Sequence, residues 1–240
     1  MIDQLDLRLY AIVDPDHAGG RSLPELARLV AAGGATLVQL RDKVNDKRAM
    51  IELARAIKAA LPAAVPLIVN DHVDVAIEAG ADGVHLGQED GSVIEARERL
   101  GPAPFIGQSI KTVEQAMAAP LSVIDYVGIG GVYGTTSKHN TKPPLGPEGL
   151  RRIVQVFRDR IGNFPMCGIA GITAANAEAV IAAGVDGVSV ISALSLAPDP
   201  TAAARELRAI VDAARKTYAP KVPAVGAVGH HAHAAEGGAS

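Results

Sequence analysis

Three polar clusters in the first half of the chain each follow a short apolar run: Gln39-Leu40-Arg41-Asp42-Lys43, Asn70-Asp71-His72 and His85-Leu86-Gly87-Gln88-Glu89-Asp90. Asp71 and Asp90 supply hard oxygen donors. Mg2+ is typically held by one or two carboxylates, with water and phosphate oxygens completing its shell. In an extended segment alternate side chains share a face, which sends Gln39, Arg41 and Lys43 to one side. A guanidinium fork beside an ammonium suits a pyrophosphate better than a lone carboxylate. Plainer readings compete at each position. Asp71 suits the N-cap of a following helix, Arg41 could pair with Asp42 at a solvated strand end, and His85 reads as a hydrogen-bonded wall residue before it reads as a ligand.

The second half carries hydroxyls and glycines in place of charges. Ser109 stands at the C-terminal end of the run from Phe105, just before Ile110, and a long polar segment runs from Gly130 to Gly146. Its glycines let backbone N–H groups approach a ligand, Thr135, Thr136 and Ser137 can donate to phosphate, and Lys138 adds charge. A loop of this length in a compact domain is usually functional, and here it could close over substrates. Further on, Ala170-Gly171-Ile172-Thr173 and Val190-Ile191-Ser192 follow two more apolar runs. The segments as a whole predict two anion sites: a metal-bound pyrophosphate near the first clusters and a monophosphate near the last two.

What must position these residues is a repeated strand and helix. Eight strand candidates, LYAIVD, TLVQL, PLIVN, GVHLG, FIGQSI, YVGIGGV, MCGIAG and GVSVIS, alternate with helical stretches. The helices include Leu23 to Ala32, Asp46 to Ala60, Asp74 to Ala79 and Ala174 to Ala183. Near-continuous apolar runs mark parallel strands covered on both faces, and eight β-α repeats predict a single-domain (β/α)8 barrel with its chemistry at the strand C-termini. The phrase Ala-Gly-Ala-Asp-Gly-Val at Ala79 recurs as Ala-Gly-Val-Asp-Gly-Val at Ala183, a glycine stop followed by a strand. The barrel is expected over residues 1–216, with 217–240 a disordered Ala-, Gly- and His-rich tail. Within that tail His230, His231 and His233 read as an adventitious metal binder.

Composition narrows the function classes. With 240 residues, a net charge of −3 and 3% aromatic residues, the chain lacks the basic surface and stacking platforms of a nucleic-acid binder. No apolar run approaches the ~20 residues of a membrane helix, and no secretory signal opens the chain, so a cytoplasmic protein is expected. Cys167, the only cysteine, lies in an apolar run and reads as an inert buried thiol. The oligomeric state is left open.

In the order QLRDK, VND, HLGQED, a G-x-x-Y-x-T-x-[ST]-K loop, IAGI and GVSVIS, from about Leu9 to Leu207, the sequence resembles the thiamine-phosphate synthase family. The resemblance implies that an aminopyrimidine-methyl pyrophosphate loses pyrophosphate with the help of Mg2+. The thiazole phosphate, plain or carboxylated, then captures the pyrimidine cation to give thiamine phosphate. It implies that Gln39, Arg41, Lys43, Asn70, Ser109 and Lys138 bind the pyrimidine pyrophosphate and that Asp71 and Asp90 hold the metal. Thr135, Ser137, Gly171, Ile191 and Ser192 would meet the thiazole phosphate. Gly131 and Gly134 stand where the family often has proline, and Ser137 replaces a common threonine. Two rival readings share the barrel: a thiazole tautomerase, which needs a positioned acid/base and no pyrophosphate site, and a non-catalytic precursor-binding protein.

Overall fold

A computed structural model describes residues 5–137 and 143–218. Eight parallel strands close in sequence order: β1 (Leu9–Val13), β2 (Leu37–Leu40), β3 (Leu67–Asn70), β4 (Gly83–Leu86), β5 (Phe105–Ile110), β6 (Tyr126–Gly130), β7 (Met166–Ile169) and β8 (Gly187–Val190). Helices α1 (Leu23–Ala32), α2 (Lys47–Ala60), α3 (Val73–Ala79), α4 (Val93–Leu100) and α5 (Val113–Ala118) cover the first strands. The ring is completed by α6 (Gly146–Ile161), α7 (Ala177–Ala182), the short α8 (Ser192–Ser195) and α9 (Pro200–Tyr218). All eight expected strands are present.

Local chemistry explains the boundaries. Ser22, Asp46, Ser92 and Thr112 each accept a backbone N–H at the start of α1, α2, α4 and α5, satisfying amides that a helix leaves without intrahelical partners. At the other end of α3, Gly80 adopts φ 65°, a left-handed value that glycine reaches without steric cost. The repeated Ala-Gly-x-Asp phrase has a further use. Asp82, just before β4, accepts the first amide of β3 at 2.9 Å, and Asp186, just before β8, accepts the first amide of β7 at 2.9 Å. Asp125 does the same for Ile106 in β5 at 2.7 Å, and Thr36 for Leu9 in β1 at 3.1 Å. Four alternate strands are thus pinned at the barrel base by a side chain preceding their neighbour. Lys58, Arg97 and Arg215 in turn pair with Asp82, Asp125 and Asp186.

Two expected boundaries are corrected. Helix α7 begins at Ala177 instead of Ala174, because Asn176 is engaged in a turn: it accepts Thr173 N at 2.8 Å and donates to Gly171 O at 3.0 Å. Residues 217 and 218 are the end of α9 instead of tail. The rest of the expected tail, with His230, His231 and His233, lies outside the described residues.

The core has two parts. The larger is the aliphatic layer between sheet and helices. The smaller, Leu7, Tyr10, Leu37, Ile68, Tyr126 and Cys167, fills the barrel interior. Burial pushes the Cys167 thiol up to about 12, which keeps it protonated and unreactive at neutral pH. Among the described residues no helix is long and apolar enough to cross a membrane.

Candidate active site

At the C-terminal mouth, a cavity of about 180 Å³ is walled by Arg41, Lys43, Asn70, Asp71, Asp90 and Ser109, with Lys111 and the glycines of β6 across from them. Strands β2 to β5 deliver these groups because a polar residue follows each apolar run at the same height of the barrel. Six of the expected pyrophosphate and metal residues therefore meet at one place. Gln39 sits apart: two residues earlier on β2, about 7 Å deeper, it is 2% exposed and donates from Nε2 to the Tyr10 hydroxyl at 2.5 Å. Lys138 lies outside the described residues.

Arg41 and Lys43 each rest on a carboxylate. Arg41 Nη1 binds Asp14, which is 1% exposed, and Lys43 Nζ lies 2.5 Å from Asp71 Oδ2. The Asp42 partner considered for Arg41 is otherwise engaged. Its carboxylate accepts Val44 N, Asn45 N and Asn45 Nδ2 at 2.7–3.0 Å and closes the loop after β2. Nor is Asp71 the cap of α3, whose N-cap is His72 without a side-chain bond. Asp71 takes φ 64°, and its amide donates to the His85 carbonyl at 2.9 Å. This backbone turn aims its side chain into the mouth and not along the helix.

Burial holds the Asp71 carboxyl above its ordinary value, a shift opposed by Lys43 and reinforced by the neighbouring Asp90 carboxylate. Asp90 Oδ2 also accepts Gly87 N at 2.9 Å, and a Cβ on Gly87 would lie 2.4 Å from that oxygen. Two carboxylates crowd together where a cation would relieve them. Among the described residues no group of three or more His, Cys, Asp or Glu side chains forms a metal cage. A donor set of two carboxylates fits an ion that keeps water and substrate oxygens in its shell.

Across the mouth, Thr135, Ser137, Gly171, Ile191 and Ser192 all line a second, smaller cavity of about 60 Å³, so all five expected phosphate residues come together. Ser137 is buried, and its amide donates to Thr135 Oγ1 at 3.1 Å. Ser189 on β8 also lines this cavity with a buried hydroxyl that has no hydrogen-bond partner among the described residues. Helix α8 starts at Ser192, so its N-terminus faces the same space. A third cavity of about 630 Å³ joins the two. It shares Gly87, Asp90 and Lys111 with the first and Thr135 with the second.

Sequence reasoning passed over Asp14 and Lys111. Both sit where the signal was present, directly after the apolar runs of β1 and β5. It also passed over Tyr10 and Tyr126, whose roles depend on which face of the barrel they occupy.

Charged groups on one rim, a hydroxyl-lined pocket on the other and a closed β/α ring define a barrel enzyme of phosphorylated small molecules. The comparisons narrow this class. The chain belongs to the thiamine monophosphate synthase family, whose model matches residues 9–194. A thiamine-phosphate synthase of Agrobacterium fabrum is 44% identical over 220 residues, covering 91% of this chain and 100% of the relative. One from Albidiferax ferrireducens is 43% identical over 208 residues, covering 86% and 93%. The thiamine phosphate pyrophosphorylase structure from Pyrococcus furiosus superposes with a TM-score of 0.76 at 36% identity, covering 88% of this chain and 98% of that one.

Proposed function

We propose that the chain is a thiamine-phosphate synthase that joins an aminopyrimidine-methyl pyrophosphate to a thiazole phosphate and releases pyrophosphate. One observation carries the reading: Asp71, Asp90, Arg41 and Lys43, brought by separate strands, wall one cavity that connects to the hydroxyl pocket of Thr135, Ser137, Gly171 and Ser192.

The leaving diphosphate gains charge as the C–O bond ionises, and groups already aimed at that charge lower the barrier without reorganising. Arg41 is held ready by Asp14, and Lys43 by Asp71. Asn70 and Ser109 offer neutral donors beside them, and the motif assigns Lys138 to the same group. Asp71 and Asp90 would hold Mg2+, which when bound supplies positive charge to the leaving group. Thr135, Ser137, Ser192 and the backbone at Gly171 hold the thiazole phosphate, fixing its nitrogen opposite the pyrimidine carbon. Exclusion of water by the loop from Gly130 protects the cation until capture. The chemistry needs no general base, and the cytoplasm supplies both small phosphorylated substrates.

Incubation of purified protein with both precursors and Mg2+ tests this reading. Thiamine phosphate and pyrophosphate should appear together and cease with EDTA. A tautomerase would release no pyrophosphate under either condition, and a carrier would bind both precursors without turnover.

A further inference from the structure

Beneath the floor of the cation-lined cavity, five polar side chains from five strands form one line. Gln39 Nε2 donates to the Tyr10 hydroxyl at 2.5 Å, and the Tyr10 and Tyr126 hydroxyls are 2.9 Å apart. The Tyr126 hydroxyl lies 3.1 Å from His85 Nδ1, and His85 Nε2 lies 2.9 Å from Ser109 Oγ. Gln39, Tyr10, Tyr126 and His85 are buried, while Ser109 is half-buried and forms part of the cavity wall.

The barrel makes room for this line. A Cβ on Gly107 would fall 2.1 Å from Tyr126 Cζ and 2.5 Å from His85 Nδ1, and one on Gly128 would fall 3.2 Å from His85 Cε1. Two strands thus forgo side chains where the tyrosine and histidine rings meet, with centroids 5.5 Å apart.

The line has a direction. An amide nitrogen only donates, so the Tyr10 oxygen receives a hydrogen from Gln39 and passes its own to Tyr126. Tyr126 in turn gives its hydrogen to His85 Nδ1, which is then the bare nitrogen. The ring proton sits on Nε2 and points at Ser109 Oγ. A protonated Nε2 cannot accept from Ser109, so the serine hydrogen is left for the cavity. Reversing a single link would leave a hydroxyl hydrogen buried without an acceptor, which protein interiors rarely tolerate. Burial raises the pKa of both tyrosines, so their hydroxyls remain protonated. Such chains strengthen link by link, because each donor polarises the next.

We infer that the buried line Gln39–Tyr10–Tyr126–His85 locks Ser109 as a hydrogen-bond donor to the departing diphosphate, which makes Tyr10, Tyr126 and His85 positioning residues of the reaction. The inference rests on the diphosphate reading of the cavity. An unguided serine would spend part of its time presenting lone pairs to an anion. The fixed one presents its hydrogen as charge develops, so its effect falls on kcat.

Two measurements test it. Nitrogen-15 NMR of the His85 ring at neutral pH, assigned by difference from His85→Gln, should show the Nε2–H tautomer in the substrate-free protein. The Nδ1–H tautomer would mean the line runs the other way and would overturn the inference. In turnover, Ser109→Ala should lower kcat about 30-fold, and Tyr126→Phe about 10-fold with KM for both precursors unchanged. The double variant should be no slower than Ser109→Ala, because Tyr126 acts through the serine. Multiplied losses would instead assign Tyr126 a merely structural role. Should Tyr126→Phe fail to fold, Tyr10→Phe cuts the same line one link earlier and is held to the same cycle. A wild-type protein without synthase activity would sink the diphosphate reading, while the tautomer would still report the direction of the line.

Discussion

The two rims of the mouth are built from different chemistry. On the β2–β5 side the groups are formal charges, with Arg41 paired to Asp14, Lys43 to Asp71, and Asp90 crowding Asp71. On the β7–β8 side they are hydroxyls, backbone and a short helix N-terminus, with Ser189 buried and unpartnered among the described residues. Under the proposed reaction the difference follows the fate of each phosphate. A leaving diphosphate changes charge along the reaction, so strong, preplaced charges act on the barrier. A spectator phosphate keeps its charge throughout, so neutral dipoles that bind ground and transition states alike suffice.

Removing a metal carboxylate should break this contrast most severely. Asp71→Ala and Asp90→Ala are each expected to lower kcat by about 100-fold or more at saturating Mg2+, read from thiamine phosphate formation. A wild-type rate in either variant would erase the metal assignment. Next in size is Lys43→Ala, expected to lower kcat about 30-fold and to weaken binding of the pyrimidine pyrophosphate through loss of a charge-assisted contact, measured by steady-state kinetics. On the opposite rim, Ser192→Ala should raise KM for the thiazole phosphate about 10-fold and leave kcat alone, the mark of uniform binding. A kcat loss equal to that of Lys43→Ala would show that the two rims do not differ.

The smallest effect concerns stability and exposes what the charged rim costs. In the folded protein the Asp71 carboxyl lies above its ordinary value, first through burial and then through Asp90, despite Lys43. Its contribution to stability is therefore present below the unfolded pKa and lost as pH rises through the raised folded value. Asp71→Asn, which tolerates the same positive φ, should melt at a higher temperature than wild type at neutral pH in EDTA. The gain should vanish once the pH falls below the ordinary carboxylate range. Thermal melts at the two pH values check this, and a lower melting temperature at neutral pH would contradict it.

Much of this was readable in the sequence, because barrel strands buried on both faces leave unbroken apolar runs and the next polar residue falls at the mouth. The same rule applied to LYAIV would have found Asp14, and applied to FIGQSI it would have reached Lys111. Other features lie beyond pattern reading. Tyr10 and Tyr126 stand inside apolar runs, and only barrel closure shows that their hydroxyls meet at 2.9 Å. Gln39 shares its alternation with Arg41 and Lys43, yet strand rise alone puts it a layer lower. Asp71 looked equally suited to capping a helix, and a positive φ, invisible in composition, turned it to the mouth.

Where the chain leaves β6 it is stitched to the end of β7: Val132 N donates to Ile169 O at 2.9 Å and Tyr133 N to Ala170 O at 3.1 Å. A Cβ on Gly171 would stand 2.4 Å from the Gly134 carbonyl oxygen and 2.7 Å from Tyr133 Cβ. The wall of the hydroxyl-lined cavity is thus pressed against the wall of the large joining cavity, with no slack for even a methyl group. Neither wall can be reshaped alone, and a single carbon added at Gly171 would displace the backbone that lines both spaces at once.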